Sequence, residues 1–186
     1  MRTPIIAVTG RFQPFHSDHL ELILTAAGDC GRVIVGITNP DARSRVEEPQ
    51  SPHRHRNDAN PFTYFERQEM VARSLQALAA GRLTIVPFPL DRPQYWYDYI
   101  PRHAIQLVRT FAKWEDRKVE ILRAGGYEVR AIPGDVDARI SASDIRAAMA
   151  AGAAWQDWVP AGTAAVLSAL GDEELMRRCT ADASNG

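Results

Sequence analysis

Cysteine is scarce: Cys30 and Cys179 are the only two in 186 residues. Two so far apart argue against a disulfide-stapled secreted framework and read as free thiols in a reducing compartment. Long apolar runs are missing too, so no stretch has the length to cross a bilayer as a helix. The start, Met1-Arg2-Thr3-Pro4, leads into an apolar run that stops at Thr9-Gly10, too short for a secretory signal and without a cleavage-like site. These absences set the expectation of a cytoplasmic protein with no membrane partner. An excess of charge of one sign is also lacking. With a net charge of −1 the molecule as a whole is no electrostatic magnet for nucleic acid, and any anion site must come from local charge. Internal repeats and low-complexity tracts are absent. What is there is an ordinary globular mixture, 45% hydrophobic and 24% charged, in a chain long enough to bury a real core.

Short apolar runs alternate with helical periodicity. Ile5–Val8, Val33–Ile37, Leu83–Val86, Ile105–Val108 and Tyr127–Val129 read as strands, the first broken by Gly10. Leu20, Ile23, Leu24 and Ala27 recur at helical spacing, and Gly28 is expected to end that helix. Further helices are expected through Phe65–Leu78, Lys118–Ala124, from Ser141 onward with a serine N-cap, and after Pro160. The alternation indicates an α/β fold, a Rossmann-like parallel sheet flanked by helices with a small C-terminal helical piece. A single domain over residues 1–179 and a flexible tail over 180–186 are expected. In such sheets ligands bind at the carboxyl ends of the strands, beside a switch in strand order.

The first strand ends in Gly10-Arg11-Phe12-Gln13-Pro14-Phe15-His16-Ser17-Asp18-His19-Leu20. Gly10 permits close backbone approach, Arg11 adds a fixed cation, and His16 and His19 share one face of a helix start that favours anions. Together they suit a polyphosphate, with the histidines as hydrogen-bond donors to charge developing on a leaving group. The competing readings are that the histidines merely cap and pack the helix, or that they bind a metal, for which two ligands are too few. The second group, Ile140-Ser141-Ala142-Ser143-Asp144-Ile145-Arg146, offers two hydroxyls and a guanidinium at another helix start. Alone it is equally a serine-capped helix with a surface arginine.

The first segment resembles the GRFQPxHxGH signature of nicotinamide mononucleotide adenylyltransferase-like nucleotidyltransferases, and the second resembles that family's ISxSxIR motif. Asn60-Pro61-Phe62-Thr63 with Glu66-Arg67 resembles its NPFTxxER segment. Asp18 stands where the family has glycine. The resemblance implies a nucleotidyltransferase that moves a nucleoside monophosphate from a nucleoside triphosphate to a small anionic acceptor and releases pyrophosphate. It implies that His16, His19 and Arg146 hold the triphosphate and that Arg11 stabilises the reacting phosphate. Gly10, Phe12, Gln13, Ser141 and Ser143 would complete the nucleotide site. Mg²⁺ would be bound mainly through the triphosphate. Such proteins often form homo-oligomers.

The acceptor is where the chain departs from the adenylyltransferases. Their GSAQxSH-like loop is replaced by Thr38–Arg45, and the run continues to Asn57. That loop gathers Arg43, Arg45, Arg54 and Arg56 and reads either as a clamp for a dense anion or as a solvated loop. Thr110–Asp116 replaces an SGNP-like segment, while Trp96 sits near the position of a ring-stacking tryptophan. Two acceptors follow from the resemblance. One is a small phosphonate such as phosphonoformate, with CTP as donor. The other is nicotinamide mononucleotide, with ATP. A site degenerate at Asp18 would instead make a non-catalytic nucleotide sensor.

Overall fold

The computed structural model describes residues 4–42, 55–78, 80–111, 113–137 and 139–180. Five strands, β1 (Ile5–Gly10), β2 (Arg32–Ile37), β3 (Leu83–Pro87), β4 (Ile105–Thr110) and β5 (Glu128–Pro133), form one sheet in the order β3-β2-β1-β4-β5. Every pairing is parallel. The α/β parallel sheet expected from the alternation is therefore the observed fold.

The helices cover both faces. On one face lie α1 (Ser17–Asp29), α2 (Tyr64–Ser74) and α5 (Ala142–Ala150), whose Leu22, Ile23, Met70, Val71, Ile145 and Met149 bury against Ile6, Val8 and Val35. On the other lie α3 (Trp96–Tyr99) and α4 (Lys113–Ala124), where Trp96, Val119 and Leu122 bury against Ala7, Ile34 and Val108. The alternation of strand side chains sends neighbours in β1 to opposite cores. α6 (Ala161–Leu170) and α7 (Asp172–Cys179) complete the chain and pack on the first face.

Several boundaries differ from expectation for local reasons. α1 runs through Gly28 to Asp29, because its buried face continues through Ala26 and Ala27 and the chain turns extended only at Cys30. α4 begins at Lys113 rather than Lys118, with Glu115 and Asp116 in a first turn that favours acidic residues. Beyond Leu170, where the sequence is uninformative, α7 is a packed amphipathic helix that buries Leu175 and Cys179. Its Arg178 reaches Glu66 Oε1 at 2.9 Å and so ties the end of the chain to the start of α2. Cys30 and Cys179 are buried free thiols. Among the described residues no helix is long and apolar enough to cross a membrane. Residues 181–186 of the expected tail lie outside the described residues.

β1 and β4 are bridged only at Ile6–Ile105 and Ala7–Gln106, whereas β1 and β2 pair along the whole of β1. The sheet thus opens beside the carboxyl end of β1, where the strand order reverses.

α6 meets α2 with backbone in contact. A Cβ on Gly162 would lie 2.4 Å from the Ser74 amide nitrogen and 2.5 Å from the Arg73 carbonyl carbon. Backbone cannot yield as a flexible side chain would, so Gly162→Ala should lower stability by about 2 kcal/mol in urea unfolding, the scale of overpacking a core.

Candidate active site

The opening beside β1 is the floor of a cleft of about 770 Å³. Its rim is the turn after β1, which has an unusual backbone. Phe12 takes a left-handed φ of +52°, and Asn39, at the end of β2, has φ +49°. For a phenylalanine this conformation persists only where its surroundings over-determine it. They do so here. The Phe12 ring is buried edge-on to His19 at 4.9 Å and to Phe15 at 5.6 Å. A Cβ on Gly10 would lie 2.8 Å from that ring, so only glycine fits beneath it. The Gln13 amide exchanges two hydrogen bonds with Phe62: Nε2 donates to its carbonyl at 2.9 Å, and Oε1 accepts from its N–H at 3.0 Å.

Two buried arginines lock this turn to its neighbours. Arg67, 2% exposed, donates through Nη1 to the carbonyls of Arg11 and Thr38 and through Nη2 to that of Asn39, each at 2.8 Å. Both left-handed residues thus adjoin or carry a carbonyl that it holds. Arg146 donates through Nη1 to the Gln13 carbonyl at 2.6 Å and through Nη2 to Ser143 Oγ at 3.1 Å. The expected phosphate arginine of α5 is therefore packed against the turn it serves.

His16 precedes α1, and its backbone N–H donates to His19 Nδ1 at 3.3 Å. That bond leaves the proton of neutral His19 on Nε2, available as a donor. The two rings stand 3.7 Å apart between centroids. Burial and the nearby Arg139 charge pull His16 down to about 4. Burial, His16 and the Lys118 charge hold His19 well below the ordinary histidine range. Both are neutral donors at physiological pH until an anion arrives. Across the cleft, Ser141 caps α5: its Oγ accepts the Asp144 N–H at 3.2 Å and donates to the Asp144 carboxylate at 2.7 Å. Those contacts, the hydroxyl's first, lower the Asp144 pKa. Arg11 donates to the Ala59 carbonyl at 3.2 Å. His16, His19, Arg11, Gly10, Phe12, Gln13, Ser141, Ser143 and Arg146 all line the one cleft.

The proposed acceptor residues fare differently. Trp96 requires a correction: it is 1% exposed in the α3–α4 core, its Nε1 donates to the Pro89 carbonyl at 2.9 Å, and it does not line this cleft. The indole fits there because Gly125 leaves room for it: a Cβ at that position would lie 2.2 Å from the ring. Arg56 pairs with Asp58 at 3.1 Å and is not part of the cleft lining. Arg43, Arg45 and Arg54 lie outside the described residues. Asp18 lines the cleft, and burial raises its carboxyl pKa.

Sequence reasoning missed Arg109, Arg139 and Lys118, which also face the cleft. Arg139 lies over the Phe111 ring, 4.2 Å from its centroid, and Arg109 pairs with Glu21 at 3.1 Å. Arg139 stands immediately before the second motif, a hint in the sequence. Lys118 sits in an ordinary charged helix and gave no such signal.

A model of the cytidylyltransferase-like family matches residues 7–148. The chain belongs to this family, and it is a nucleotidyltransferase. Phosphonoformate cytidylyltransferase of Streptomyces viridochromogenes is 36% identical over 91% of this chain and 94% of that protein. Nicotinamide-nucleotide adenylyltransferase of Thermococcus onnurineus is 26% identical over 95% and 88%. In fold the chain is similar to a bifunctional NMN adenylyltransferase/ADP ribose pyrophosphatase from Francisella tularensis complexed with AMP and a manganese ion. That match has a TM-score of 0.64 at 17% identity over 95% of this chain, which spans about half of the bifunctional protein, 52%.

Two outcomes follow for this nucleotidyltransferase. Lysine cannot bridge the carbonyls that the Arg67 guanidinium joins, so Arg67→Lys should cost about 3 kcal/mol in urea unfolding. The depressed His16 binds its proton more tightly in the unfolded chain. Its contribution is complete above the ordinary value of 6.5 and is lost as pH falls towards about 4. The loss amounts to about 3 kcal/mol. Unfolding of His16→Asn between pH 7 and 4 should show a shallower decline than wild type.

Proposed function

We propose that this nucleotidyltransferase transfers CMP from CTP to a small phosphonate such as phosphonoformate and releases pyrophosphate. The observation that carries this reading is the likeness to the Streptomyces phosphonoformate cytidylyltransferase, 36% identical over nearly the full length of both chains. The nicotinamide-nucleotide adenylyltransferase of Thermococcus onnurineus stands at 26%. The burial of Trp96 supports it, since that indole is withdrawn from any role as a stacking platform for a nicotinamide ring.

In this reading a phosphonate oxygen attacks the α-phosphorus of CTP. A new P–O bond forms, and the bond to the bridging oxygen of the β-phosphate breaks. That oxygen leaves with the electron pair as part of pyrophosphate. His16 and His19 donate to the triphosphate from the start of α1; Ser141, Ser143 and Arg146 meet it from the start of α5. Arg11 stabilises the reacting phosphate. No side chain forms a covalent intermediate, and catalysis is positioning and charge stabilisation. Among the described residues no group of three or more His, Cys, Asp or Glu converges. The donor set therefore suits a Mg²⁺ carried by phosphate oxygens and water rather than by a protein cage, neutralising charge on the departing pyrophosphate.

A second reading, adenylyl transfer from ATP to nicotinamide mononucleotide, is favoured by Phe111 and Trp114, aromatic side chains that line the cleft. Pyrophosphate release from each pairing of CTP or ATP with phosphonoformate or nicotinamide mononucleotide decides. CTP with phosphonoformate should be the fastest pair, and His16→Ala should lower its kcat about 100-fold, as loss of one charge-stabilising donor does. Turnover of ATP with nicotinamide mononucleotide alone would overturn the preferred reading. Nucleotide binding without pyrophosphate release under every pairing would identify a sensor.

A further inference from the structure

Lys118 has no part in the motifs above, yet its setting is unusual. It belongs to α4, on the opposite face of the sheet from α1 and α5. Its side chain is buried, 8% exposed, and its ammonium donates to the Thr9 carbonyl at the carboxyl end of β1. It lines the cleft from that side together with Thr9 and Trp114. Its charge also helps to depress His19, which places the cation within electrostatic reach of the histidine pair.

The strand end that it reaches is incompletely satisfied. Thr9 Oγ1 is buried, and among the described residues the structure gives it no hydrogen-bond partner. A cation buried in the cleft wall at a strand end is placed to meet an anionic guest.

The chemistry supplies the guest. Attack at the α-phosphorus is roughly in line with the departing pyrophosphate. In the reading above, the starts of α1 and α5 hold the pyrophosphate half, on one face of the sheet. The acceptor must then enter from the other face, over the end of β1, where Lys118 stands. A small phosphonate whose oxygen reacts still carries a second charged group that needs a partner.

We propose that Lys118 is the residue that selects a doubly anionic acceptor: its ammonium receives the carboxylate of a phosphonate such as phosphonoformate while the phosphonate faces the α-phosphate. This rests on the acceptor reading above. It explains how the chain takes a compact dianion with a helix residue that lies outside both phosphate motifs.

The test compares phosphonoformate with methylphosphonate, which lacks the carboxylate, in wild type, Lys118→Met and Lys118→Arg. Binding to enzyme loaded with Mg²⁺ and α,β-methylene-CTP is measured by calorimetry, and KM is measured with CTP where turnover occurs. Wild type should prefer phosphonoformate by about tenfold or more, and Lys118→Met should shrink that preference to about threefold or less, with Lys118→Arg between them. Affinity for the CTP analogue should stay within about twofold, which also reports that the variant has folded. A merely structural lysine would weaken both acceptors alike and leave their ratio intact, and that result overturns the proposal. So does a change confined to nucleotide affinity, or failure of wild type to bind phosphonoformate at millimolar concentration. Failure of the acceptor reading is seen separately, as binding of phosphonoformate by wild type without pyrophosphate release.

Discussion

β1 has a parallel neighbour on each side, but its ladder with β4 stops after Ala7. Beyond that point the strands part, and the helices that follow them lie on opposite faces. The backbone carbonyls at the parting cannot be satisfied within the sheet, and buried polar groups left unpaired are costly. Long cationic side chains meet them instead. Lys118 takes the Thr9 carbonyl, Arg67 those of Arg11, Thr38 and Asn39, and Arg146 that of Gln13. The cleft inherits its positive character from this need, and so a chain of net charge −1 holds an anion site.

The same constraint explains the histidines. Packed among Arg139, Lys118 and apolar rings, a protonated imidazole would be expensive, so both titrate well below the ordinary value. They act as neutral donors. The starts of α1 and α5 both border the cleft, and helix starts favour anions. Rigidity comes from farther out. Arg178 of α7 holds Glu66 of α2, and Glu66 in turn accepts the Thr63 N–H at 2.8 Å, next to the Phe62 backbone that grips Gln13. The C-terminal helix thus steadies the residues that shape the turn after β1.

Most of the sheet was legible because buried parallel strands are continuous apolar runs, and Val33–Ile37 can hardly be anything else. The Ser141 cap was legible because its partner, Asp144, lies three residues on, within the reach of a single turn. Trp96 was misjudged. An aromatic cluster beside a loop looks the same whether it faces ligand or core, and only the space left by Gly125 decides. Lys118 and Arg139 were not legible as site residues, because charged positions in a helix or loop are normally solvated. The direction of Lys118 depends on a strand 109 positions away, and that of Arg139 on Phe111 and Glu115 at the start of α4. Asp18 was recognised as a departure, but whether it faced the cleft depended on the rotation of α1.

The sequence by itself determined the reaction class, through motifs that resemble those of a known family, and it located the strand end and two helix starts that carry them. Those motifs are contiguous, and their placement follows from local geometry: a strand end, a glycine, a helix start. The tertiary structure alone decided which face of the sheet each remaining side chain serves. That choice follows from the reversal of strand order beside β1 and from packing between residues far apart in the chain, and short-range pattern carries no information about either.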